Sequence, residues 1–595
     1  MAELVTDLLQ DRARELGGGE ALRFKRDGRW LSHSWEDYRD LTLRAARAML
    51  AHGLEAGRGV SIMGFNRPEW FFSNLGAIAA GGRPTGVYTN LTPEQVAYIA
   101  DHSSSQVAVV ENREYLEKFL AVRGDLPGLE TLALWDGEVT AEEAEAGVLT
   151  WRDFMAAGEE DEALQARLDE RIAAQQPDDV CELIYTSGTT GPPKGVMLSH
   201  RNLAWTATTV GEGFDLGPGH RVISYLPLSH SAEQMVSLYI PLVRGMTTCF
   251  AESLELMADN LKEVRPHVFF GVPRVWEKMQ AAIQQAGQAN PPLKKKIAAW
   301  ARGVGLAAGY AEQGRGSKPL LYPLAKTLVF DKVRQRIGLD EALICATGAA
   351  PMAQDTADFF LSLGIPVLNF YGLSETSAPA TQSVPGHYRT GRAGVPLPGT
   401  DVVLADDGEV LIRGPHVFKG YHRDPEATAE VMDDEGFFLS GDVGRIDDEG
   451  FLQITDRKKE LIITSGGKNI APQVLENEFK RIPAVEHAVV VGDGRKYLAA
   501  LFTLEPEAAR VAAEEAGSPE TEPAALAACP VFRAWMERRV EEVNEGLARY
   551  ETMKTFHILP EAFTVEGGEL TPTMKLKRRV INEKYAEEIE SLYPG

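Results

Sequence analysis

Residues 181–199 read CELIYTSGTTGPPKGVMLS, and the stretch Tyr185-Thr-Ser-Gly-Thr-Thr-Gly-Pro-Pro-Lys-Gly195 inside them decides how the rest of the chain is read. CELIY is apolar and short, as a buried strand is. Glycines at 188, 191 and 195 then let backbone N–H groups approach a polyphosphate closely. Thr186, Ser187, Thr189 and Thr190 add hydroxyls, and Lys194 supplies a cation. The spacing differs from GxxxxGK[ST], because Gly195 follows the lysine. A Gly/Ser/Thr tract alone reads as a flexible linker. Set between a strand and an amphipathic segment, it reads as a phosphate cradle.

Outward from this loop, further apolar runs recur between helical stretches: VAVVE (107–111), RVISYL (221–226), HVFFGV (267–272), ALICAT (342–347) and VLNFYG (367–372). Continuous apolar strands alternating with amphipathic helices predict an α/β fold with sheets covered on both faces. From about Ala393 to Asp442 the texture becomes short strands with turn signals DDG, RGP and DEG, as in a compact β-rich lobe. After Gly450 it changes again, to DRKKELIITSGGKNIAP, a helix-like VLENEFKRI and a strand-like HAVVVG. The charged run Asp456–Lys459 therefore marks a junction between a large unit, 1–455, and a small α+β unit, 460–595. The acidic stretch 137–178 and the segment 284–340, with Lys294, Lys295 and Lys296, read as insertions. The latter is a solvated helical hairpin or a basic amphipathic surface for peripheral membrane contact.

The 595 residues carry 61 Lys and Arg against 86 Asp and Glu, a formal charge of −25, which argues against general nucleic-acid binding. Cys181, Cys249, Cys345 and Cys529 are scattered without metal-ligand or redox spacing, as in reduced cytoplasmic proteins. The N-terminus lacks a signal-peptide pattern, and no run approaches the ~18 apolar residues of a membrane span. A cytoplasmic protein, at most peripheral to the inner membrane face, is expected, with a homodimer left open.

TSGTTGPPKG resembles, without a break, the signature of the adenylate-forming (AMP-binding) enzymes, a family that includes acyl-CoA synthetases, firefly luciferase and peptide-synthetase adenylation domains. Further matches follow in the family's order, over nearly the whole chain. The resemblance implies that Gly348, Ala349 and Ala350 in TGAAPM lie along adenine. In NFYGLSET it implies that Tyr371 stacks on adenine, Asn369 lies near its amino edge, Gly372 belongs to the nucleotide site, Thr376 bonds the α-phosphate, and Glu375 holds Mg²⁺. A hard carboxylate oxygen suits that ion. Asp442 in SGDVGRID and Arg457 in TDRKKE are the implied ribose contacts, and Lys459 the pivot of a mobile C-terminal domain within the hinge 456–459. Lys575 in LTPTMKLKRR is the implied adenylation lysine, and His230 in LPLSH lies near the acyl carboxylate. Lys575, Thr376, Lys194 and His230 form the implied catalytic set. Phe269, Phe270, Gly271, Val272 and Pro273 are candidates to line an acyl tunnel, and Gly466 and Gly467 to flank coenzyme A. Ile463 departs from a lysine common there in relatives.

The implied activity is ligation of a long- or medium-chain fatty acid to coenzyme A, with ATP and Mg²⁺ and an acyl-adenylate intermediate. The alternatives are delivery of the adenylate to another acceptor, or an aryl or short-chain acid as substrate. A peptide-synthetase module would carry a GGxS carrier site, absent from this sequence. A luciferase-like monooxygenase is allowed by the motifs and would need oxygen-dependent light emission to reveal it. A non-enzymatic nucleotide-binding scaffold would tolerate loss of Glu375, Asp442 or Lys575.

Overall fold

Five parallel strands, in the spatial order Arg83–Gly86, Gly59–Met63, Ser105–Val110, Thr131–Leu134 and Val148–Thr150, form the first sheet of the computed structural model. The structure describes residues 3–159, 161–186, 192–465, 468–565, 567–571 and 575–593. Every residue of Gly59–Met63 and Ser105–Val110 is buried, as a parallel sheet covered on both faces requires. Helices such as Trp35–Ala51, with its Ser34–Asp37 capping box, and Pro68–Ala79, with proline in its first turn, supply the cover.

The second sheet has nine strands, running from Val395–Pro396 through Ala378–Gln382, Val367–Leu373, Ile344–Thr347, Val268–Phe270, Arg221–Ser224 and Thr247–Phe250 to Glu20–Arg26 and Arg29–Ser34. Its central pairs are parallel and its outer pairs antiparallel. Several strands are shorter than their apolar runs: RVISYL stops at Ser224 and HVFFGV at Phe270. In both, the chain leaves the sheet to build the loops on which the site stands. A four-stranded antiparallel lobe follows, Asp401–Leu404, Glu409–Arg413, Phe438–Ile446 and Leu452–Arg457. Its last strand ends at Arg457, inside the charged run Asp456–Lys459.

The C-terminal unit has its own core, in which Phe479, Phe502, Phe532, Trp535 and Met536 are buried between three strands and their helices. A 3₁₀ turn, Lys458–Glu460, joins it to the lobe. Arg274–Glu486 at 3.2 Å and Arg481–Asp355 at 2.9 Å are ion pairs across the two units.

Two sequence readings change. The acidic stretch 137–178 is no simple insertion: Val148–Thr150 is the edge strand of the first sheet, and Phe154 and Leu168 are fully buried. The run 269–273 is core rather than an open tunnel wall. Phe269 is fully buried and stacks on Tyr225 at 5.9 Å, while Trp276 Nε1 donates to the Gly271 and Ala346 carbonyls at 3.0 and 3.1 Å. The space beside this run is filled by the indole. All four cysteines are buried and free.

Candidate functional site

The phosphate-loop candidate joins two antiparallel strands, Val180–Thr186 and Lys194–Ser199, with Thr186 opposite Lys194. Ser187, Gly188, Thr189, Thr190 and Gly191 lie outside the described residues, as do Gly466 and Gly467. The hairpin's free edge is covered by residues 419–422, through Met197 N to Gly420 O, Lys419 N to Met197 O and His422 N to Gly195 O. That same segment reaches the acidic turn: Phe418 N donates to Glu375 O, and the Tyr421 hydroxyl donates to Glu375 Oε1 at 2.8 Å. Lys194 Nζ rests 4.7 Å above the Tyr421 ring. Tyr421 thus stands between the predicted cation and the predicted metal carboxylate. Sequence reasoning missed it, since GYHRDPE carries no local mark beyond turn chemistry.

Glu375 and Thr376 sit on a turn that closes to an unusual degree. A Cβ on Gly372 would meet the Ala378 carbonyl oxygen at 1.7 Å, so only glycine allows the two backbone segments to approach. The Thr376 hydroxyl is buried, donates to the Leu373 and Ala378 carbonyls at 3.0 and 2.9 Å as alternatives, and accepts from Leu373 N. It holds the turn together, and must rotate to meet a phosphate.

On the strand leading into this turn, the Tyr371 hydroxyl donates to Asp442 Oδ2 at 2.8 Å. Asp442 is a strand residue. It lies within the strand Phe438–Ile446, opposite Arg457, whose Nε is 3.1 Å from Oδ1. Gly441, at φ +70°, gives the strand a left-handed residue beside Asp442, and its N–H bonds Glu409 Oε1. Burial raises the Asp442 carboxyl's pKa, against the opposing pull of Arg457, the Tyr371 hydroxyl and Lys575. Asn369 pairs in register with Thr347, the residue before Gly348. Gly348 packs on the Phe370 carbonyl, and Ala349 takes φ +67°, with Ala350 next in the same strand-to-helix connection. These residues therefore line adjacent C-terminal strand ends, where ligands of open α/β sheets collect.

Lys575 arrives from the C-terminal unit. Its N–H bonds Thr571 Oγ1, and Thr571 N bonds the Lys575 carbonyl. Lys575 is exposed by surface area, although protein groups surround its ammonium. The ammonium lies within electrostatic reach of Arg457, Asp442, Glu375 and Glu460; burial first, then Arg457, lower its pKa to about 8. His230 faces the same field. Burial and then Lys575 lower its pKa to about 4, and Nδ1 accepts from Ala232 N at 3.1 Å. The ring is therefore neutral at pH 7 with its proton on Nε2, a hydrogen-bond donor.

Lys194, Tyr371, Glu375, Asp442, Arg457, Lys575 and His230 thus converge from both units on one cleft, with positive groups arranged about two carboxylates. Such a site can hold a phosphate-bearing group and neutralise charge that develops on it.

Residues 9–422 match the model of the AMP-binding enzymes, and residues 459–595 that of the AMP-binding enzyme C-terminal domain. The chain is 40% identical to the long-chain-fatty-acid–CoA ligase ACSBG2 of Xenopus laevis, over 99% of this chain and 83% of that protein. It is 39% identical to the long-chain-fatty-acid–CoA ligase ACSBG1 of Homo sapiens, over 96% and 83%. In fold it is similar to the anthranilate CoA ligase AuaEII in complex with anthranoyl-AMP, with a TM-score of 0.74 at 18% identity over 99% of this chain and 98% of that one. The adenylation domain of a carboxylate reductase from Mycobacterium chelonae gives 0.74 at 23% identity, over 99% and 91%.

Proposed function

Because the chain belongs to the family of AMP-binding enzymes, we propose that it ligates a long- or medium-chain fatty acid to coenzyme A through an acyl-adenylate, converting ATP to AMP and pyrophosphate. The observation that carries the reading is the meeting of Lys575, from the C-terminal unit, with Glu375, Asp442, Arg457 and His230 in one cleft. The names of the relatives at 40% and 39% identity support the acyl class.

In the first half-reaction a carboxylate oxygen of the fatty acid attacks the α-phosphorus of ATP. The bond from that phosphorus to the bridging oxygen breaks, and pyrophosphate leaves. No side-chain nucleophile is needed; the protein positions the reactants and neutralises charge. Lys194 and Lys575 face the phosphates, Thr376 orients the α-phosphate, and His230 Nε2–H donates toward the acyl carboxylate. Tyr371 and Asn369 hold adenine against Gly348, Ala349 and Ala350, and Asp442 with Arg457 takes the ribose. Asp442 has room for this, since a carboxylate offers about four lone-pair sites and Tyr371 and Arg457 occupy two.

The residues present also fit Mg²⁺. Glu375 is a buried carboxylate with one oxygen fixed by Tyr421, which leaves the other to face a cation. The ion would neutralise the phosphates and pyrophosphate. In the second half-reaction the coenzyme A thiol loses its proton to solvent, its sulfur attacks the acyl carbon, and AMP leaves with the electrons of the broken C–O bond. Rotation about Lys459 withdraws Lys575 for this step.

We extend the proposal to peripheral contact between segment 284–340 and membranes; among the described residues no helix is long and apolar enough to cross one. The test of the activity is a chain-length series of saturated acids with ATP, Mg²⁺ and coenzyme A, following AMP and acyl-CoA by mass spectrometry. A maximum at medium or long chains is expected. Acid-independent AMP release, or AMP without acyl-CoA, overturns the reading.

A further inference from the structure

Segment 284–340 carries ten Lys and Arg against three Asp and Glu, a formal +7 inside a chain of −25. The excess is local and strong. It coincides with the most exposed leucine in the described structure: Leu320 is 97% exposed, and Leu321, Leu324 and Leu328 are 52, 50 and 43% exposed. These residues belong to a short helical elbow, Tyr322–Ala325 continuing through Lys326–Phe330, which folds back on the helix Pro292–Glu312. The elbow is not frayed. Its inner face is fully engaged, with Ala325 and Phe330 buried and Phe330 seated where a Cβ on Gly305 would meet it at 2.8 Å. Leu324 and Leu328, one turn apart, therefore point outward from an anchored helix, beside Leu320 and Leu321 at its entry.

We propose that this elbow is a docking surface for an anionic lipid bilayer, with Leu320, Leu321, Leu324 and Leu328 entering the headgroup–acyl boundary and Lys318 and Lys326 remaining among the phosphates. The inference deepens the peripheral contact proposed above and rests on it, but it does not depend on the acyl-CoA chemistry. Lys318 and Lys326 flank the leucines and are about half exposed; they are ion-paired to Glu312 at 3.5 Å and to Asp331 at 2.8 Å, exposed pairs that a lipid phosphate can replace. Apolar residues on one face with lysines at its margin are the composition of a helix that lies ~5–10 Å into a membrane interface. Each basic residue near an anionic leaflet raises the partition about fivefold, and salt screens it.

Charge decides against the other occupants. A second copy would bring its own +7 segment against this one in a two-fold contact, like charge facing like. The rest of the chain, at −32 by difference, is repelled by an anionic leaflet, so this segment sets the orientation on the bilayer. A fatty acid partitioned in that bilayer would then be presented at the enzyme's surface.

Sedimentation of the full chain with vesicles of phosphatidylcholine alone, or mixed with phosphatidylglycerol, tests the proposal. Wild type should partition at least tenfold more strongly onto the mixed vesicles, and less in high salt. Leu320→Asp with Leu324→Asp should lower that partition at least tenfold, and Lys318→Glu with Lys326→Glu should remove the preference for phosphatidylglycerol. Both variants should form acyl-CoA from a water-soluble medium-chain acid as wild type does. Leu320→Ser, at a site 97% exposed, gives the same direction of change should the double leucine variant misfold. Equal partition of wild type and the leucine variants, or no lipid preference, overturns the proposal. So does a leucine variant that turns a dimer into a monomer without altering vesicle binding. Wild type that ignores vesicles yet makes acyl-CoA sinks the docking and leaves the ligase reading standing; vesicle binding without acyl-CoA formation does the reverse.

Discussion

The Lys458 ammonium lies 2.7 Å from Glu409 Oε2, tying the first residue of the inter-unit turn to the four-stranded lobe. Two residues on, Glu460 is held at 3.0 Å by Arg578 of the C-terminal unit. Lys459 is the residue between the two anchors. In the proposed rotation of one unit on the other, the φ/ψ change would concentrate there.

Lys459→Pro should therefore keep adenylate formation and slow thioester formation severely, because proline locks φ near −65° and restricts the preceding residue as well. The adenylating orientation is the one expected to survive, since Arg457 is on Asp442 in it. Pyrophosphate exchange and acyl-CoA production, read on one preparation, check this. Proportional loss of both places the pivot elsewhere.

Tyr421→Phe removes the hydroxyl that fixes Glu375 but keeps the ring beneath Lys194. A hydrogen bond to a charged group contributes ~1.5–3 kcal/mol, so adenylation kcat/KM should fall by about tenfold or more. The Mg²⁺ concentration for half-maximal rate should rise with it. Glu375→Gln should raise it further by removing an anionic ligand. Mg²⁺ titrations that superimpose on wild type would take both residues out of the metal site.

In the proposed reaction Lys575 would act through its positive charge, and burial, then Arg457, lower its pKa to about 8. The charged form predominates below that pH and is lost above it. Adenylation kcat/KM, which reports the free enzyme, should be level below pH about 8 and decline about tenfold per unit above it. Lys575→Arg should shift that alkaline limb out of range if it retains activity, because arginine keeps its proton. Lys575→Ala should abolish adenylation, yet spare thioester formation from ready-made acyl-adenylate. An unchanged limb in Lys575→Arg would assign the titration to another group.

Gly372→Ala should destabilise the large unit by ~3 kcal/mol or more, at the upper end of overpacking, because its Cβ would fall 1.7 Å from the Ala378 carbonyl oxygen. Ser377→Gly, at φ +51°, is the control: it relieves a left-handed residue but gives up the 2.9 Å hydrogen bond from Ser377 Oγ to the His416 carbonyl, and should cost clearly less than Gly372→Ala. Thermal unfolding of the two variants separates them. Coincident transitions would mean the turn can open without cost.

The candidate site was written in short strings, because a phosphate loop, a YGLSET turn and a TDRKKE junction each keep their chemistry within a few adjacent residues. The α/β class was legible for a similar reason: strands buried on both faces must be continuously apolar, as Ser105–Val110 is. Boundaries were less so. Val148–Thr150 is hidden in an acidic stretch because a three-residue edge strand needs its hydrogen bonds to Thr131–Leu134 more than it needs a hydrophobic pattern.

By itself, then, the sequence determined the layered α/β architecture, and it offered Lys194, Glu375, Asp442 and Lys575 as candidates for the chemistry-bearing residues. Tertiary structure alone decided that Tyr421 stands between Lys194 and Glu375, that Trp276 fills the space beside Phe269, and that Leu320 faces outward while Phe330, ten residues on, is buried. The physical reason is range. Backbone propensity and motif chemistry act over a few bonds and are written in local order. Which hydroxyl meets which carboxylate, and which apolar side chain finds a partner, depends on surfaces brought together from hundreds of residues apart, and no local pattern carries that information.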